Sequence, residues 1–247
     1  MAEKKRLDQL VHDLFPHYSR NLIQSWIMQG KIIVNGTVVT KPGVATPVDA
    51  TIVASIEEPK YVGRAGFKLE KALDYFGIQV EGLTALDAGL STGGFTDCLL
   101  QRGIHKVYGV DVGYGQVHEK IRSNDRVIVM ERTNLRELPD LGEQVDIVTL
   151  DLSFISVLKV MDVINNVLKP QGNLIILIKP QFEARKEDVE RGGLIRNAQI
   201  HRQVIENVTK GIESYGYDLI GVTDSPITGT TGNKEFLAYF IKHEHTV

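Results

Sequence analysis

The stretch LTALDAGLSTGGF, residues 83–95, decides the fold, because it has the pattern of a buried strand, a glycine-rich turn and the start of a helix. Leu83–Asp87 is short and apolar, and the glycine-rich turn begins at Gly89. Glycine lets the backbone approach a ligand closely, and the first turn of the following helix offers free N–H groups. The next predicted strand ends in Asp111, 22 residues after Gly89, where an acidic residue binds ribose hydroxyls in nucleotide-binding folds. This spacing predicts a site for a nucleotide-type cofactor.

The turn matches the dinucleotide fingerprint only in part, because Ser91 stands where a middle glycine would let the backbone close on a pyrophosphate. It also lacks the lysine of a phosphate-binding loop. These differences favour a methyltransferase that uses S-adenosyl-L-methionine over an NAD enzyme or an NTPase, which stay open. The predicted cofactor-binding residues come from this turn and from the ends of the next two strands: Asp87, Gly89, Ser91, Thr92, Gly93, Gly94, Phe95, Asp111 and Asn134.

Apolar segments of strand length alternate with segments of helix length after residue 65. The predicted strands are Leu83–Asp87, Lys106–Asp111, Arg126–Met130, Val145–Asp151 and Asn173–Lys179, and the predicted helices among them are Phe67–Phe76, Phe95–Gln101 and Ser156–Leu168. Such a pattern indicates an α/β fold with a doubly wound, mostly parallel sheet of the Rossmann-like methyltransferase type. A helix at Ala198–Tyr215 precedes strands at Asp218–Thr223 and Glu235–Ile241, which a short loop joins as an antiparallel pair.

The N-terminal segment predicts a separate, small α+β domain. Helices at Arg6–Leu14 and Ser19–Gln29 precede a hairpin whose turn is Asn35-Gly36, and Ala50–Ile56 adds a strand. Pro59 and Gly63 punctuate the chain between the two patterned regions. We therefore expect domains at 1–58 and 65–247, joined by a linker at 59–64.

Charge and cysteine content set the broad class of the protein. Net charge is −3, yet residues 1–55 carry six Lys/Arg and four Asp/Glu, which permits an RNA-binding face. The one cysteine, Cys98, fits a reducing compartment. The charged N-terminus does not resemble a secretory signal, and no apolar run is long enough to cross a bilayer. A cytoplasmic protein without a membrane span is expected.

Four charged residues fall where this architecture would bring them together. Asp151 and Lys179 end the fourth and fifth strands, Glu235 opens the last strand, and Lys68 lies on the helix before the first strand. Ligands of open α/β sheets bind outside the carboxyl ends of the strands. We therefore predict these four as the catalytic residues, and we predict no metal site.

Transfer of a methyl group to a ribose hydroxyl gives this set a chemical role. The hydroxyl must lose its proton as it attacks, and an ordinary lysine is neutral in only about one molecule in a thousand at pH 7.4. Desolvation and a second nearby ammonium can favour the neutral form at a cost of roughly 4 kcal/mol. Alignment of donor and acceptor contributes more, on the order of 7–11 kcal/mol. Lys179 is the candidate base.

Several motifs together resemble the TlyA family, also known as haemolysin A. They are Gly63-Arg64-Ala65-Gly66-Phe67-Lys68-Leu69, Asp87 to Asp97, Asp151-Leu152-Ser153-Phe154-Ile155-Ser156, Ile178-Lys179-Pro180-Gln181-Phe182-Glu183, and Ser225 to Phe236. The resemblance implies an FtsJ-like catalytic domain that methylates a ribose 2′-hydroxyl, with cytidine of ribosomal RNA as the target and ribosomal RNA or subunits as partners. It also implies that Lys68, Asp151, Lys179 and Glu235 form the family's Lys-Asp-Lys-Glu tetrad.

The first 42 residues are similar to the small RNA-binding domain first known from a ribosomal protein. The matching positions include Arg6-Leu7-Asp8, Ser19-Arg20, Gly30-Lys31 and Lys41-Pro42. The resemblance implies that Arg6, Arg20 and Lys41 contact RNA, and we group Arg64 of the predicted linker with them.

Three other functions stay open at this point. An RNA base methyltransferase would use a proline-rich clamp after the fourth strand, where Asp151-Leu152-Ser153-Phe154 has no proline, or a cysteine nucleophile, for which Cys98 has no neighbouring base. A membrane-active haemolysin would need a spanning or strongly amphipathic segment. A non-catalytic RNA-binding module would have no need of the tetrad.

Overall fold

The computed structural model describes residues 3–16, 18–55 and 59–244. The chain divides into two compact units, Met1–Lys60 and Tyr61–Val247. The last residue of the predicted Ala50–Ile56 strand lies outside the described residues. So do residues 57 and 58, the last of the predicted first domain.

The smaller unit is built from two helices and short strands around one apolar cluster. Its elements are β1 (Lys4–Arg6), α1 (Leu7–Leu14), α2 (Arg20–Met28), β2 (Ile32–Val34), β3 (Thr37–Val38), β4 (Ala45–Pro47) and β5 (Ile52–Ala54). Ser19 caps α2, because its hydroxyl accepts from the Leu22 N–H at 3.3 Å. Asn35 and Gly36 both have positive φ, +48° and +80°, which is the backbone of a tight hairpin turn.

Sequence patterning did not predict the antiparallel pair of β1 and β4. Each strand has only three residues, and Lys4–Arg6 is exposed along its whole length. A short exposed strand has no apolar alternation, so its pairing depends on contacts made elsewhere in the fold.

The larger unit is a seven-stranded sheet covered by helices. Its elements are α3 (Gly66–Phe76), β6 (Thr84–Ala88), α4 (Gly94–Gln101), β7 (Lys106–Val110), α5 (Glu119–Arg122), β8 (Val127–Met130), β9 (Val145–Leu150), α6 (Met161–Val167), β10 (Leu168–Ile178), α7 (Pro180–Glu183), α8 (Ala198–Glu213), β11 (Tyr217–Asp224) and β12 (Phe236–Lys242), with 3₁₀ turns at Leu135–Glu137, Val157–Val160 and Lys186–Asp188. The strand order is β11-β12-β10-β9-β6-β7-β8.

The predicted fold class is confirmed. Strands β8, β7, β6, β9 and β10 are parallel, whereas β12 runs antiparallel to both β10 and β11. The central strands β6 and β9 are buried at every position except Asp146, and two apolar clusters contribute to the core. Because both faces of the sheet are covered, the strands have nearly continuous apolar sequences rather than alternating ones.

The topology brings one end of five strands to a single edge of the sheet. Parallel strands β6, β7, β9 and β10 end at this edge, so Gly89, Asp111, Asp151 and Lys179 follow there. Because β12 is antiparallel, its first residue pairs with the last residue of β10, and Glu235 arrives at the same edge.

A buried carboxylate ties three core elements together beneath this edge. The hydroxyls of Thr96 on α4 and Thr149 on β9 donate to opposite oxygens of Asp87, at 2.7 and 2.8 Å. Asp87 has no exposed surface, and burial raises the pKa of its carboxyl to about 6. The unfolded chain therefore loses this proton at lower pH than the folded chain does.

Substitution of Asp87 by asparagine should change how stability depends on pH. Because the folded pKa is raised, the favourable contribution of Asp87 is fully present below its unfolded pKa and is lost as pH rises through about 6. Between pH 7.5 and pH 5, wild type should gain about 1.4 kcal/mol of unfolding free energy relative to Asp87→Asn. Urea titrations followed by circular dichroism measure this gap. A gap that stays constant with pH would contradict the raised pKa.

Candidate active site

Two cavities open at the edge where the strands converge. The first, of about 470 Å³, lies between the glycine-rich turn, the residues after β7 and β8, and the loop after β9. The second, of about 500 Å³, lies between the loop after β9, helix α7 and the loops that contain Gly193 and Thr231. Ser153 and Phe154 line both cavities, so the loop after β9 connects them.

Close backbone packing explains the first glycine of the turn. Gly89 has a φ of +87°, and a Cβ there would collide with the carbonyl oxygen of Asp151. The Asp151 N–H donates to the Ala88 carbonyl at 3.0 Å, which fixes the two strand ends side by side. Only glycine satisfies both the left-handed backbone and this approach.

The Asp111 carboxylate is held in place by two backbone donors at the wall of the first cavity. The Ser91 N–H donates to one oxygen and the Gly113 N–H to the other, each at 2.7 Å. A carboxylate has about four lone-pair positions, so these bonds leave acceptors for ligand hydroxyls. The arrangement orients the group without exhausting its capacity.

Four of the nine predicted cofactor residues line the first cavity. Gly89, Ser91, Asp111 and Asn134 do so, and the Asn134 side chain also caps a 3₁₀ turn by accepting from the Arg136 N–H at 3.1 Å. The other five do not line it: Asp87, Thr92, Gly93, Gly94 and Phe95. Asp87, Gly93, Gly94 and Phe95 are buried, so the turn presents its backbone to the cavity while these residues anchor it from behind.

The segment before α3 packs directly on the glycine-rich turn. A Cβ at Gly94 would lie 2.9 Å from both the Gly63 carbonyl oxygen and the Gly66 nitrogen. Nearby, the Val62 N–H donates to the Asp97 carboxylate at 2.8 Å. These contacts place the start of α3, and with it Lys68, beside the turn.

The four predicted catalytic residues form two buried ion pairs. The Lys179 Nζ lies 2.6 Å from an Asp151 carboxylate oxygen, and the Lys68 Nζ lies 2.6 Å from a Glu235 oxygen. Lys68, Lys179 and Glu235 are each less than 10% exposed. Lys179 and Glu235 line the second cavity together, and Asp151 lines the first. The tetrad therefore stands where the two cavities meet.

Ser153 contacts this tetrad although patterning did not single it out. The Lys179 ammonium donates to the Ser153 hydroxyl at 3.0 Å. The two residues are 26 positions apart in the chain, and only the adjacency of β9 and β10 joins them.

Asn233 is the second functional candidate that patterning missed. It is buried, accepts from the Ile195 N–H at 2.9 Å and donates to the Gly193 carbonyl at 2.7 Å. Gly193 and Thr231, which neighbours Asn233, both line the second cavity. One side chain thus joins two loops that shape this cavity.

Phe154 stands at the junction of the cavities in a costly conformation. Its side chain is 90% exposed, and its φ is +65°, a region that bulky residues rarely occupy. Its ring contacts Phe182 with centroids 5.0 Å apart. An exposed, strained aromatic residue at a cavity mouth is a candidate for ligand contact.

The predicted RNA-binding cations differ in their surroundings. Arg6 donates to both oxygens of the buried Asp8, at 3.0 and 2.9 Å, and its side chain remains 55% exposed. Arg20 and Lys41 are exposed on the smaller unit, and Arg64 is exposed on the larger one. Arg6 therefore has a structural partner in Asp8, whose carboxylate also accepts from the Gln24 amide at 2.8 Å.

Within the described part of the chain, none of the helices combines the length and apolarity needed to span a bilayer.

Comparisons with known proteins agree with the family resemblance. Residues 61–242 match the FtsJ-like methyltransferase family, and residues 5–45 match the S4 domain. Hemolysin A of Brachyspira hyodysenteriae is 40% identical over 239 residues, which cover 96% of this chain and 99% of that protein. The 16S/23S rRNA (cytidine-2′-O)-methyltransferase TlyA of Mycobacterium tuberculosis is 37% identical and covers 97% of this chain and 90% of that protein.

A solved structure extends the agreement to three dimensions. A protein from Streptococcus thermophilus, provisionally described as a hemolysin, superposes with a TM-score of 0.74 at 36% identity, over 99% of this chain and 90% of that one. The predicted resemblance is confirmed: this chain belongs to the FtsJ-like methyltransferase family and, within it, to the S4-containing relatives of TlyA and Hemolysin A.

Proposed function

We propose that this protein is an S-adenosyl-L-methionine-dependent methyltransferase that modifies a ribose 2′-hydroxyl, that of cytidine, in ribosomal RNA. The observation that carries the proposal is the pair of buried ion pairs, Lys179–Asp151 and Lys68–Glu235, at the junction of two cavities. Its relative from Mycobacterium tuberculosis is named for cytidine-2′-O methylation of rRNA.

The first cavity suits an adenosine-type cofactor. Asp111 presents an oriented carboxylate for ribose hydroxyls, and Gly89 lets the turn come close without a side chain. Its volume of about 470 Å³ is within the range of small-molecule sites. When bound there, the cofactor supplies an electrophilic methyl group carried on a sulfonium.

Lys179 is the group that accepts the proton of the 2′-hydroxyl. It lines the second cavity and is buried, so a hydroxyl bound in that cavity can reach its amine. Asp151 holds the amine in place. Glu235 pairs with the second cation, Lys68, and balances its charge. Accurate placement of the hydroxyl contributes more to the rate than the proton transfer does.

Two kinds of group bind the RNA in this proposal: an aromatic ring for a base, and cations for phosphates. The exposed ring of Phe154, backed by Phe182, offers a surface on which a nucleobase stacks, an interaction worth about 1–3 kcal/mol. Arg20 and Lys41 of the S4 unit and Arg64 of the catalytic unit are available for phosphates. A ribosomal RNA substrate assigns the enzyme to the cytoplasm.

The chemistry of the product tests the proposal directly. Purified protein, cofactor with a tritiated methyl group and ribosomal subunits from cells that lack this protein are incubated, and the RNA is digested to nucleosides. The label should co-elute with 2′-O-methylcytidine. Label on a base would instead favour a base methyltransferase.

Replacement of Lys179 by alanine should lower the methylation rate at least about 100-fold, because the base is lost. Cofactor affinity, measured by calorimetry, should stay within about twofold, because Lys179 does not line the first cavity. Lys169→Ala is a matched control. Lys169 pairs with Asp146 at the same 2.6 Å between the same two strands, away from the cavities.

Equal loss in both variants would show that the ion pair only stabilises the sheet. Lysis of red cells by the purified protein, unchanged by Lys179→Ala, would favour a membrane-active haemolysin.

Replacement of Asp111 by alanine should weaken cofactor binding about 10- to 100-fold, the value of one or two hydrogen bonds to a charged group. Isothermal titration calorimetry with S-adenosyl-L-methionine measures the change. Asp140→Ala is the control, since Asp140 is exposed and accepts only from a turn N–H within its own loop. Unchanged affinity in Asp111→Ala would remove its role toward ribose.

Reversal of charge at Arg20 and Lys41 should raise the KM for ribosomal subunits and reduce the salt dependence of binding. Loss of two phosphate contacts lowers the slope of log affinity against log salt by about two. Cofactor affinity should not change. The control is Lys210→Glu on α8, an exposed lysine paired only with Glu206 in the same helix. Equal effects in the control would mean that overall charge, not the S4 surface, sets RNA affinity.

A further inference from the structure

Ser153 stands at a position that the tetrad leaves unassigned. It follows β9 by three residues, lines both cavities, and accepts a hydrogen bond from Lys179 at 3.0 Å. The same Lys179 nitrogen lies 2.6 Å from Asp151. In the described part of the chain, the Ser153 hydroxyl accepts a hydrogen bond from this nitrogen, and Asp151 is its ion-pair partner.

The two oxygens close to this nitrogen leave one direction open on a neutral amine. A deprotonated lysine has two N–H bonds and one lone pair, arranged tetrahedrally about the nitrogen with Cε. With Ser153 accepting one N–H and the Asp151 carboxylate beside the other, the remaining tetrahedral position belongs to the lone pair. Lys179 borders the second cavity, so this position is available to a group bound there.

We propose that Ser153 is a positioning residue: with Asp151 it aims the lone pair of Lys179 at the hydroxyl that is methylated. This inference rests on the proposed function. The proton passes from the ribose 2′-oxygen to Nζ as the 2′-oxygen forms its bond to the methyl carbon and the carbon–sulfur bond breaks. Lys179 then carries the proton as an ammonium and releases it to solvent.

Lys68 differs from Lys179 in its contacts. Among the described residues its partner is Glu235 at 2.6 Å, and no hydroxyl corresponding to that of Ser153 bonds to it. The Ser153 contact therefore distinguishes Lys179, the proposed base, from Lys68.

The charges that face Lys179 come from several elements. Asp151 follows β9, Glu235 precedes β12, and Lys68 on α3 is bound to Glu235. Glu183 at the end of α7 accepts from the Val157 N–H at 2.8 Å and thereby holds the loop that carries Ser153. None of these groups changes when Ser153 alone is replaced.

The test is Ser153→Ala in the full-length protein, with single-turnover methylation of ribosomal subunits at saturating cofactor across a range of pH. The rate should fall about 10- to 100-fold through misalignment. A hydrogen-bond acceptor stabilises a charged donor more than a neutral one. The pH of half-maximal rate should therefore move down, by about half to one pH unit.

Two further variants separate this role from a structural one. Ser153→Thr keeps the hydroxyl and should restore most of the rate. Ser214→Ala removes an exposed hydroxyl that lines neither cavity, where it donates to the Gly211 carbonyl at 2.6 Å, and should leave the pH profile unchanged.

The proposal is overturned if Ser153→Ala keeps the wild-type rate, or if its rate falls without a change in the pH profile. It is also overturned if cofactor affinity alone falls, which would assign Ser153 to the first cavity. Failure of the proposed function is distinct: it requires wild type to produce no 2′-O-methylated nucleoside, or Lys179→Ala to remain active.

Discussion

Two lysine–carboxylate pairs removed from water are the interaction on which the candidate active site depends. An unpaired charge in a protein interior costs several kcal/mol, whereas a close pair offsets most of that cost. Lys179–Asp151 and Lys68–Glu235 each have a separation of 2.6 Å, and each pair carries no net charge. The fold can therefore bury four ionised groups beside an open cavity.

The antiparallel last strand is the topological feature that makes this gathering possible. If β12 ran parallel to β10, its first residue would lie at the opposite end of the strands, and Glu235 would be the length of a strand away from Lys68. Insertion of β12 between β10 and β11 in the reversed direction brings Glu235 beside Lys179. Close packing then fixes Glu235, because a Cβ at Gly229 would lie only 2.5 Å from its carboxylate.

Sequence patterning predicted the elements and the edge of the sheet but not how each side chain is oriented. Strands such as β6 and β9 are mostly apolar, and their ends follow from length and flanking residues, so Asp111, Asp151 and Lys179 could be placed. Asp87 and Phe95 belong to the same glycine-rich motif, yet they face the interior. Orientation within a turn depends on backbone angles that the residue types do not determine.

For a related reason, sequence patterns could not predict the contacts between distant segments. Ser153 and Asn233 have polar side chains in loops, where a residue of this type is most often exposed. Their partners are 26 and about 40 positions away. Only the order of strands in the sheet reveals that these loops meet.

The loop after β9 couples the two halves of the proposed reaction. Ser153 and Phe154 are neighbours, and both border both cavities, so a base resting on Phe154 lies next to the residue that contacts Lys179. The left-handed backbone at Phe154 costs on the order of 1–3 kcal/mol. Phe182 on α7 packs against the strained ring, and Glu183, also on α7, bonds the end of the same loop. Helix α7 begins directly after Lys179, so one short piece of chain holds the proposed general base, the loop that carries Ser153 and the ring of Phe154.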